Sequence, residues 1–82
     1  MKIEHTIVTD DGKRFSVGDE IAFKIFNTTS CYMDRYIGKI TSITDEYICI
    51  KDTEINRTRI DQDLSIPFRM IIPNSFNYVY EE

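Results

Sequence analysis

The sequence contains no tryptophan, one histidine, one leucine and one alanine among its 82 residues. Isoleucine, by contrast, occurs 14 times. Helices favour leucine and alanine, whereas a β-branched side chain suits a pleated, half-buried surface. No segment repeats apolar residues at the spacing of a long amphipathic helix. The composition therefore predicts an all-β protein.

Residues that commonly build catalytic sites are also scarce. The only histidine, His5, alternates with Ile3 and Ile7, which is typical of a half-buried strand position rather than of a catalytic base. The three glycines are isolated from one another, so the chain has no glycine-rich phosphate loop. No serine or cysteine has the sequence context of an activated nucleophile. We therefore predict that the protein is not an enzyme and holds no cofactor.

Carboxylates are more abundant, but they are not spaced as metal ligands. Three adjacent pairs fall in predicted turns, where Asp caps the backbone: Asp10–Asp11, Asp19–Glu20 and Asp45–Glu46. The remaining pair, Asp61 and Asp63, lacks the further ligands and the glycine of a calcium loop. We expect no metal site.

The cysteines and the hydrophobic runs bear on the cellular compartment. Cys31 and Cys49 do not form a C-x-x-C pair, and the sequence has neither a signal peptide nor an apolar run near 18 residues. These features predict a cytoplasmic protein with free thiols and no membrane segment. The length fits a single domain spanning residues 1–82, close to the lower limit at which a hydrophobic core alone holds a fold.

The charge balance argues against one class of partner. Ten basic residues face 14 acidic ones, giving a net charge of −4 and a pI near 4.9. A net negative charge opposes the long-range attraction expected of a non-specific nucleic-acid binder. The acidic residues are also interleaved with basic ones, so the chain does not have the pattern of a DNA mimic.

Alternation of apolar and polar residues predicts short strands throughout the chain. The first covers Ile3–Val8, and another covers Glu20–Ile25. The central feature is a hairpin over Arg35–Lys51, with its turn at Thr44–Glu46. Its isoleucines cannot all share a face at a period of two, so we expect a bulge between Gly38 and Ser42.

The segments around this hairpin are predicted as follows. Asn27–Asp34, dense in Asn, Thr and Ser, is expected to be a long loop. Asp52–Asp63, the most charged stretch, is compatible with an extended hairpin tip or with a mobile loop. Phe68–Ile72 fits a single 3₁₀ turn stopped by proline. A last strand is predicted from alternating aromatic residues: Phe76, Tyr78 and Tyr80.

The order of these signals resembles that of the SH3-like barrels, the small barrels that include SH3 domains and KOW-type modules. The resemblance is carried by three motifs: Val17-Gly18-Asp19-Glu20, Gly38-x-Ile40 and Ile66-Pro67-Phe68-x-x-Ile71. It covers roughly residues 15–80, with Ile3–Val8 as an added strand. It implies a five- to six-stranded small barrel with a short 3₁₀ turn before the last strand.

The resemblance carries no functional residue with it, because small barrels of this kind host many unrelated activities. KOW-type modules are usually basic, and this chain is acidic. Peptide-binding SH3 domains pack a tryptophan on proline ligands, and this chain has none. In size and composition the chain is also similar to accessory proteins of phages and mobile elements.

One cluster of residues is a candidate binding site. Tyr32, Arg35, Tyr36 and Lys39 lie at the predicted loop 27–34 and the strand that follows it. Aromatic residues and arginine are enriched both in protein interfaces and in platforms that stack single-stranded nucleic acid. The alternative is that Tyr36 belongs to the core and that the two basic residues simply face outward from a strand.

Three hypotheses of function follow. The first is a module that binds another protein through loop 27–34 and Tyr36. The second is a nucleic-acid module, KOW-like, in which four basic residues share one face: Arg35, Lys39, Arg57 and Arg59. The third is a structural subunit of a larger assembly, with self-association through an exposed strand at Leu64–Phe68.

Overall fold

A computed structural model describes residues 6 to 79. Within that range the chain is almost entirely extended, which confirms the all-β prediction. The strands are β1 (Thr6–Val8), β2 (Arg14–Ser16), β3 (Glu20–Asn27), β4 (Tyr32–Ile43), β5 (Tyr47–Ile55), β6 (Thr58–Arg59) and β7 (Leu64–Pro67). Ile3 and His5 of the predicted first strand, and Tyr80 of the predicted last strand, lie outside the described residues.

The strands form two antiparallel sheets. β1 and β2 make a two-stranded hairpin, while β3, β4, β5 and β6 neighbour one another in that order in the larger sheet. β6 and β7 share one edge of β5, with β6 beside Glu54–Ile55 and β7 beside Tyr47–Ile50. Among residues 6 to 79 the strand ladders do not close into a barrel, so the structure supports the all-β class without the SH3-like detail.

The predicted central hairpin is present, and so is its irregularity. β4 and β5 are joined by the turn Thr44–Glu46, as expected. The pairing of the two strands shifts register between Ile37 and Lys39 and again between Ile40 and Ser42, which confirms the predicted bulge. Gly38 lies within the first of these shifts, and an added Cβ there would come within 2.8 Å of the Ile50 side chain. Glycine is therefore required for β4 and β5 to approach this closely.

The prediction of a long loop over Asn27–Asp34 is wrong. β3 extends to Asn27 and β4 begins at Tyr32, so only the four residues 28–31 form the turn. The Asn27 carbonyl oxygen accepts a hydrogen bond from the Cys31 amide at 2.9 Å, and Cys31 has a φ of 61°. The polar residues of this stretch close a tight turn instead of forming a loop.

The charged stretch Asp52–Asp63 begins as an extended hairpin of β5 and β6. Ile55 pairs with Thr58 across a two-residue turn, and β6 then continues toward β7. The buried Thr53 hydroxyl donates to the Gln62 carbonyl at 3.0 Å, while the Thr53 carbonyl accepts from the Ile60 amide. These bonds carry the pairing across the irregular segment between β6 and β7.

The core lies on the inner face of the larger sheet. It is made almost entirely of isoleucine and phenylalanine: Phe15, Ile21, Phe23, Ile25, Ile40, Ile43, Ile48, Ile50, Ile66 and Ile71. Phe15 anchors the β1–β2 hairpin against this core because its side chain is fully buried. Burial of β-branched and aromatic side chains on a pleated face is the main stabilising term of such a sheet.

The C-terminal segment covers one end of this core. A 3₁₀ turn at Phe68–Met70 precedes it, as predicted. Between Ile71 and Asn77 the chain makes isolated bridges to β3, at Ile25 and at Ala22, rather than a continuous strand. The ring of Phe76 lies 5.9 Å from that of Phe23, and backbone hydrogen bonds join Asn77 to Ala22 in both directions, so aromatic packing and these bonds together hold the segment. No helical segment in residues 6 to 79 has the length and apolar character to cross a membrane.

Gly38→Ala tests the close approach of β4 and β5. The new methyl group would collide with Ile50, so the free energy of unfolding should fall by about 1–3 kcal/mol in chemical denaturation. Gly12→Ala is the contrasting variant, because its methyl group meets no atom within 4 Å and its loss comes from the φ of 89° alone. An unchanged free energy of unfolding in Gly38→Ala would contradict the packing argument.

Candidate functional site

The two tyrosines of the predicted site have different surroundings. Tyr36 is half-buried on the inner face, with its ring 5.7 Å from that of Phe23 and nearly parallel to it. Burial, and to a lesser extent the charge of Asp34, raise the pKa of the Tyr36 hydroxyl. Tyr32, four residues earlier, has 75% of its surface exposed. Tyr32 is thus available to a partner, whereas Tyr36 mainly supports the core.

The two basic residues of the predicted site lie on the opposite face. Side chains alternate along a strand, and Arg35 and Lys39 are out of phase with Tyr32 and Tyr36. Arg35 pairs with Lys24, and Lys39 pairs with Glu20 of β3. The structure therefore does not bring the four predicted residues onto one surface.

The end of the β3–β4 hairpin carries three exposed apolar side chains, which we call the tip surface: Phe26, Tyr32 and Met33. By strand alternation Phe26 and Met33 share the outer face, whereas Tyr32 is in phase with Tyr36, so the tip surface includes both sides of the hairpin end. Phe26 and Met33 are 51% and 57% exposed and pair directly across the strands. Phe and Met, like Tyr, are enriched in protein interfaces. Neither Phe26 nor Met33 was predicted as a site residue. Phe26 follows the inward series Ile21, Phe23, Ile25, so alternation makes it face outward.

The tip surface is held in shape by Asn27. Its side-chain oxygen accepts hydrogen bonds from the amides of Thr29, at 2.9 Å, and Ser30, at 3.3 Å. Its side-chain nitrogen donates to Asp34 at 3.0 Å. Both polar atoms of one side chain thus fix the turn, so the exposed residues are presented on a preorganised hairpin.

The outer face of the larger sheet is rich in basic residues. Six belong to the outward positions of β3 to β6 or to the β5–β6 turn: Lys24, Arg35, Lys39, Lys51, Arg57 and Arg59. Four carboxylates lie beside them: Glu20, Asp52, Glu54 and Asp61. This face is therefore net positive in a chain whose total charge is −4.

Two adjoining open clefts cross this face and share Ile37 and Val79. The first, of about 500 Å³, is lined by Arg35, Ile37, Asn56, Arg57 and Val79. The second, of about 330 Å³, contains Lys39 and Arg59 together with Glu20, Asp52 and Glu54. The four basic residues named in the nucleic-acid hypothesis thus lie on one face, two in each cleft.

Asp34 joins the two hairpin ends. One carboxylate oxygen accepts from the side-chain nitrogen of Asn56, at 2.8 Å, and the other from that of Asn27, at 3.0 Å. The bond from Asn56, followed by that from Asn27, lowers the pKa of the Asp34 carboxyl below its ordinary value of 3.8. The tip surface and the β5–β6 turn are therefore fixed to the same side chain.

Two of the predicted acidic pairs contain a carboxylate that is bonded within its own turn. Hydrogen bonds from Thr9 and then from Lys13 lower the pKa of Asp11 to about 2, and Lys13 lies 2.9 Å from its carboxylate. The Asp19 carboxylate accepts from the Ser16 amide at 2.8 Å. Within residues 6 to 79, no three His, Cys, Asp or Glu side chains are grouped closely enough to hold a metal ion.

Comparisons of the chain with protein-family models, with curated protein sequences and with solved structures find no match. The function is therefore inferred from the two surfaces that this chain presents. One is the apolar tip surface, and the other is the basic outer face with its two clefts.

The two hydrogen bonds that Asp34 accepts, from Asn27 and Asn56, which we call the Asp34 clamp, predict a specific acid sensitivity. Because the folded-state pKa of Asp34 lies below the unfolded value, its contribution to stability is present above about pH 3.8 and is lost as the pH falls through the folded pKa. Asp34→Asn should lower the midpoint of chemical denaturation at pH 7, since an amide nitrogen would then face one of the two asparagine donors. The same variant should show a smaller loss between pH 5 and pH 3 than the unaltered protein.

Asp63→Asn serves as the control, because it removes the same charge from an exposed position. Denaturation curves of all three proteins would be recorded across this pH range. Equal pH dependence in the Asp34 variant and the unaltered protein would contradict the clamp.

Proposed function

We propose that the protein is a non-enzymatic, cytoplasmic binding module whose tip surface docks on a partner protein. We further propose that its strands correspond to an SH3-like barrel left open, with the Ile71–Asn77 segment supplying the last strand through its bridges to β3. The order of β3, β4, β5, the 3₁₀ turn and this segment supports that correspondence. Accessory proteins of phages and mobile elements are a class that fits this size.

The observation that carries the protein-binding proposal is the exposure of Phe26, Tyr32 and Met33. Each is more than half exposed, and all three lie within eight residues of chain at one hairpin end. Large apolar side chains in contact with water at one end of a hairpin gain free energy when a partner buries them. Because the turn is already fixed, the hairpin loses less conformational entropy when the partner binds.

A second candidate function, nucleic-acid binding, is favoured by the placement of Arg35, Lys39, Arg57 and Arg59 around adjoining clefts. Lys24 and Arg35 are paired, and the next outward pair along β3 and β4 is Phe26 with Met33. A basic surface beside an exposed aromatic ring is the arrangement that binds single strands. Nucleic-acid binding predicts that the affinity for single-stranded RNA or DNA falls steeply as the salt concentration rises. An affinity that does not change with salt would exclude this function.

Assembly through β7 remains a third prediction. One edge of Leu64–Pro67 pairs with β5, and no second strand pairs with it among residues 6 to 79. Pro67 has no amide hydrogen, which limits the hydrogen bonds that an added strand would make. Light scattering across a concentration series distinguishes this role, because only self-association raises the mass with concentration.

The double variant Tyr32→Ser, Met33→Ser tests the tip surface. Both side chains point into solvent, so the variant should fold normally but should lose capture of the partner from nuclease-treated host lysate. We expect at least a tenfold loss, since aromatic anchors of interfaces commonly contribute about 2 kcal/mol or more. Captured proteins would be quantified by mass spectrometry.

The matched control is Tyr47→Ser, Met70→Ser, which changes the same residue types at exposed positions away from the tip. Capture should be retained by this variant. Equal capture by both variants would show that the tip surface is not the contact. Tyr36→Ala is unsuitable for this purpose, because it would remove a ring that stacks on Phe23.

A further inference from the structure

The two clefts of the outer face differ in the ligand charge that they suit. The cleft of Lys39 and Arg59 also contains three carboxylates, and Arg59 lies 2.7 Å from a fourth, that of Asp61. The cleft of Arg35 and Arg57, which we call the arginine cleft, has no carboxylate among the described residues that line it. The Asp34 carboxylate lies next to it, bonded to Asn56 of the lining. Among the described lining residues, the arginine cleft therefore has the more positive balance of charge.

The arginine cleft is built on a rigid backbone connection. The Asn56 amide donates to the Arg35 carbonyl at 2.9 Å, and the Arg35 amide donates to the Asn56 side-chain oxygen at 2.9 Å. Asn56 is also the residue that donates to Asp34. The main chain of Arg35 and the turn that carries Arg57 are thus held side by side before any ligand arrives.

Arg57 occupies a backbone position that arginine disfavours. Asn56 and Arg57 are the two central residues of the β5–β6 turn, with φ values of 51° and 70°. Two positive φ values at these positions are typical of a type I′ turn, in which the common sequence is Asn-Gly. Asparagine tolerates this region, but a long side chain at the second position is strained. Residues held in such conformations are concentrated at binding sites.

From these observations we propose that the arginine cleft is a phosphate-binding site for single-stranded nucleic acid, with Arg57 as its principal contact. The inference rests on the second candidate function and narrows it to one cleft. A guanidinium group forms paired hydrogen bonds with phosphate oxygens, and two such groups flank one apolar floor of Ile37 and Val79. The strain at Arg57 is then the structural cost of placing its guanidinium group in the cleft.

Arg57→Gly tests the proposal because stability and binding should change in opposite directions. Glycine relieves the backbone strain, so the midpoint of thermal unfolding should rise by about 4–8 °C. Affinity for a fluorescein-labelled 12-nucleotide single strand, of RNA and of DNA, should fall about tenfold, and the slope of log affinity against log salt should decrease by about one. Fluorescence anisotropy at several salt concentrations measures both quantities.

Arg69→Ala is the charge-matched control, because it removes one exposed cation outside both clefts. It should leave the slope of log affinity against log salt unchanged. Arg57→Lys keeps the positive charge, so it should keep most of this slope.

Polyglutamate as competitor separates phosphate from carboxylate recognition, and effective competition by it would overturn the assignment to nucleic acid. Binding weakened by Lys39→Ala and Arg59→Ala but not by Arg57→Gly would leave the nucleic-acid function standing and overturn the arginine cleft. Absence of any binding by the unaltered protein at low salt would overturn both.

Discussion

The contact between Gly38 and Ile50 is the constraint on which the larger sheet depends. β4 is the shared strand, paired with β3 on one side and with β5 on the other. Its register with β5 shifts across Gly38, between Ile37 and Lys39, and an added Cβ there would lie 2.8 Å from Ile50. Bulges bend and twist a strand. The missing side chain therefore lets β4 place Ile40 in the core beyond the bend while Arg35 and Lys39 face outward before and beside it.

Asp34 gives the two proposed surfaces a common support. Its two carboxylate oxygens accept hydrogen bonds from Asn27, which shapes the tip surface, and from Asn56, which positions the arginine cleft. Arg35, the next residue, is itself bonded to Asn56 through its backbone. Since a charge-assisted hydrogen bond is stronger than a neutral one, this single residue restrains both hairpin ends. The tip surface and the arginine cleft are consequently connected through one side chain.

The sequence predicted the elements whose causes are local. The isoleucine content, the alternation on either side of Thr44–Glu46 and the proline after Ile72 led to the correct fold class, central hairpin and 3₁₀ turn. The loop prediction for Asn27–Asp34 failed because composition does not reveal that Asn27 closes a four-residue turn with its own side chain. In the described residues, the last strand predicted from Phe76, Tyr78 and Tyr80 has a single bridge, from Asn77 to Ala22. The packing of Phe76 on Phe23 beside it is a tertiary contact that alternation does not reveal.

The candidate surfaces were less accessible to sequence reasoning, because both depend on register. Net charge sums over all faces, whereas pairing of β4, β5 and β6 collects Arg35, Arg57 and Arg59 on one of them. The sequence Asn-Gly predicts a type I′ turn, but Asn-Arg does not. The strained conformation of Arg57 could therefore not be predicted and is known only from its φ angle. The acidic total still opposes the long-range approach of a polyanion, so binding at the basic face would depend on short-range contacts with its arginine and lysine side chains.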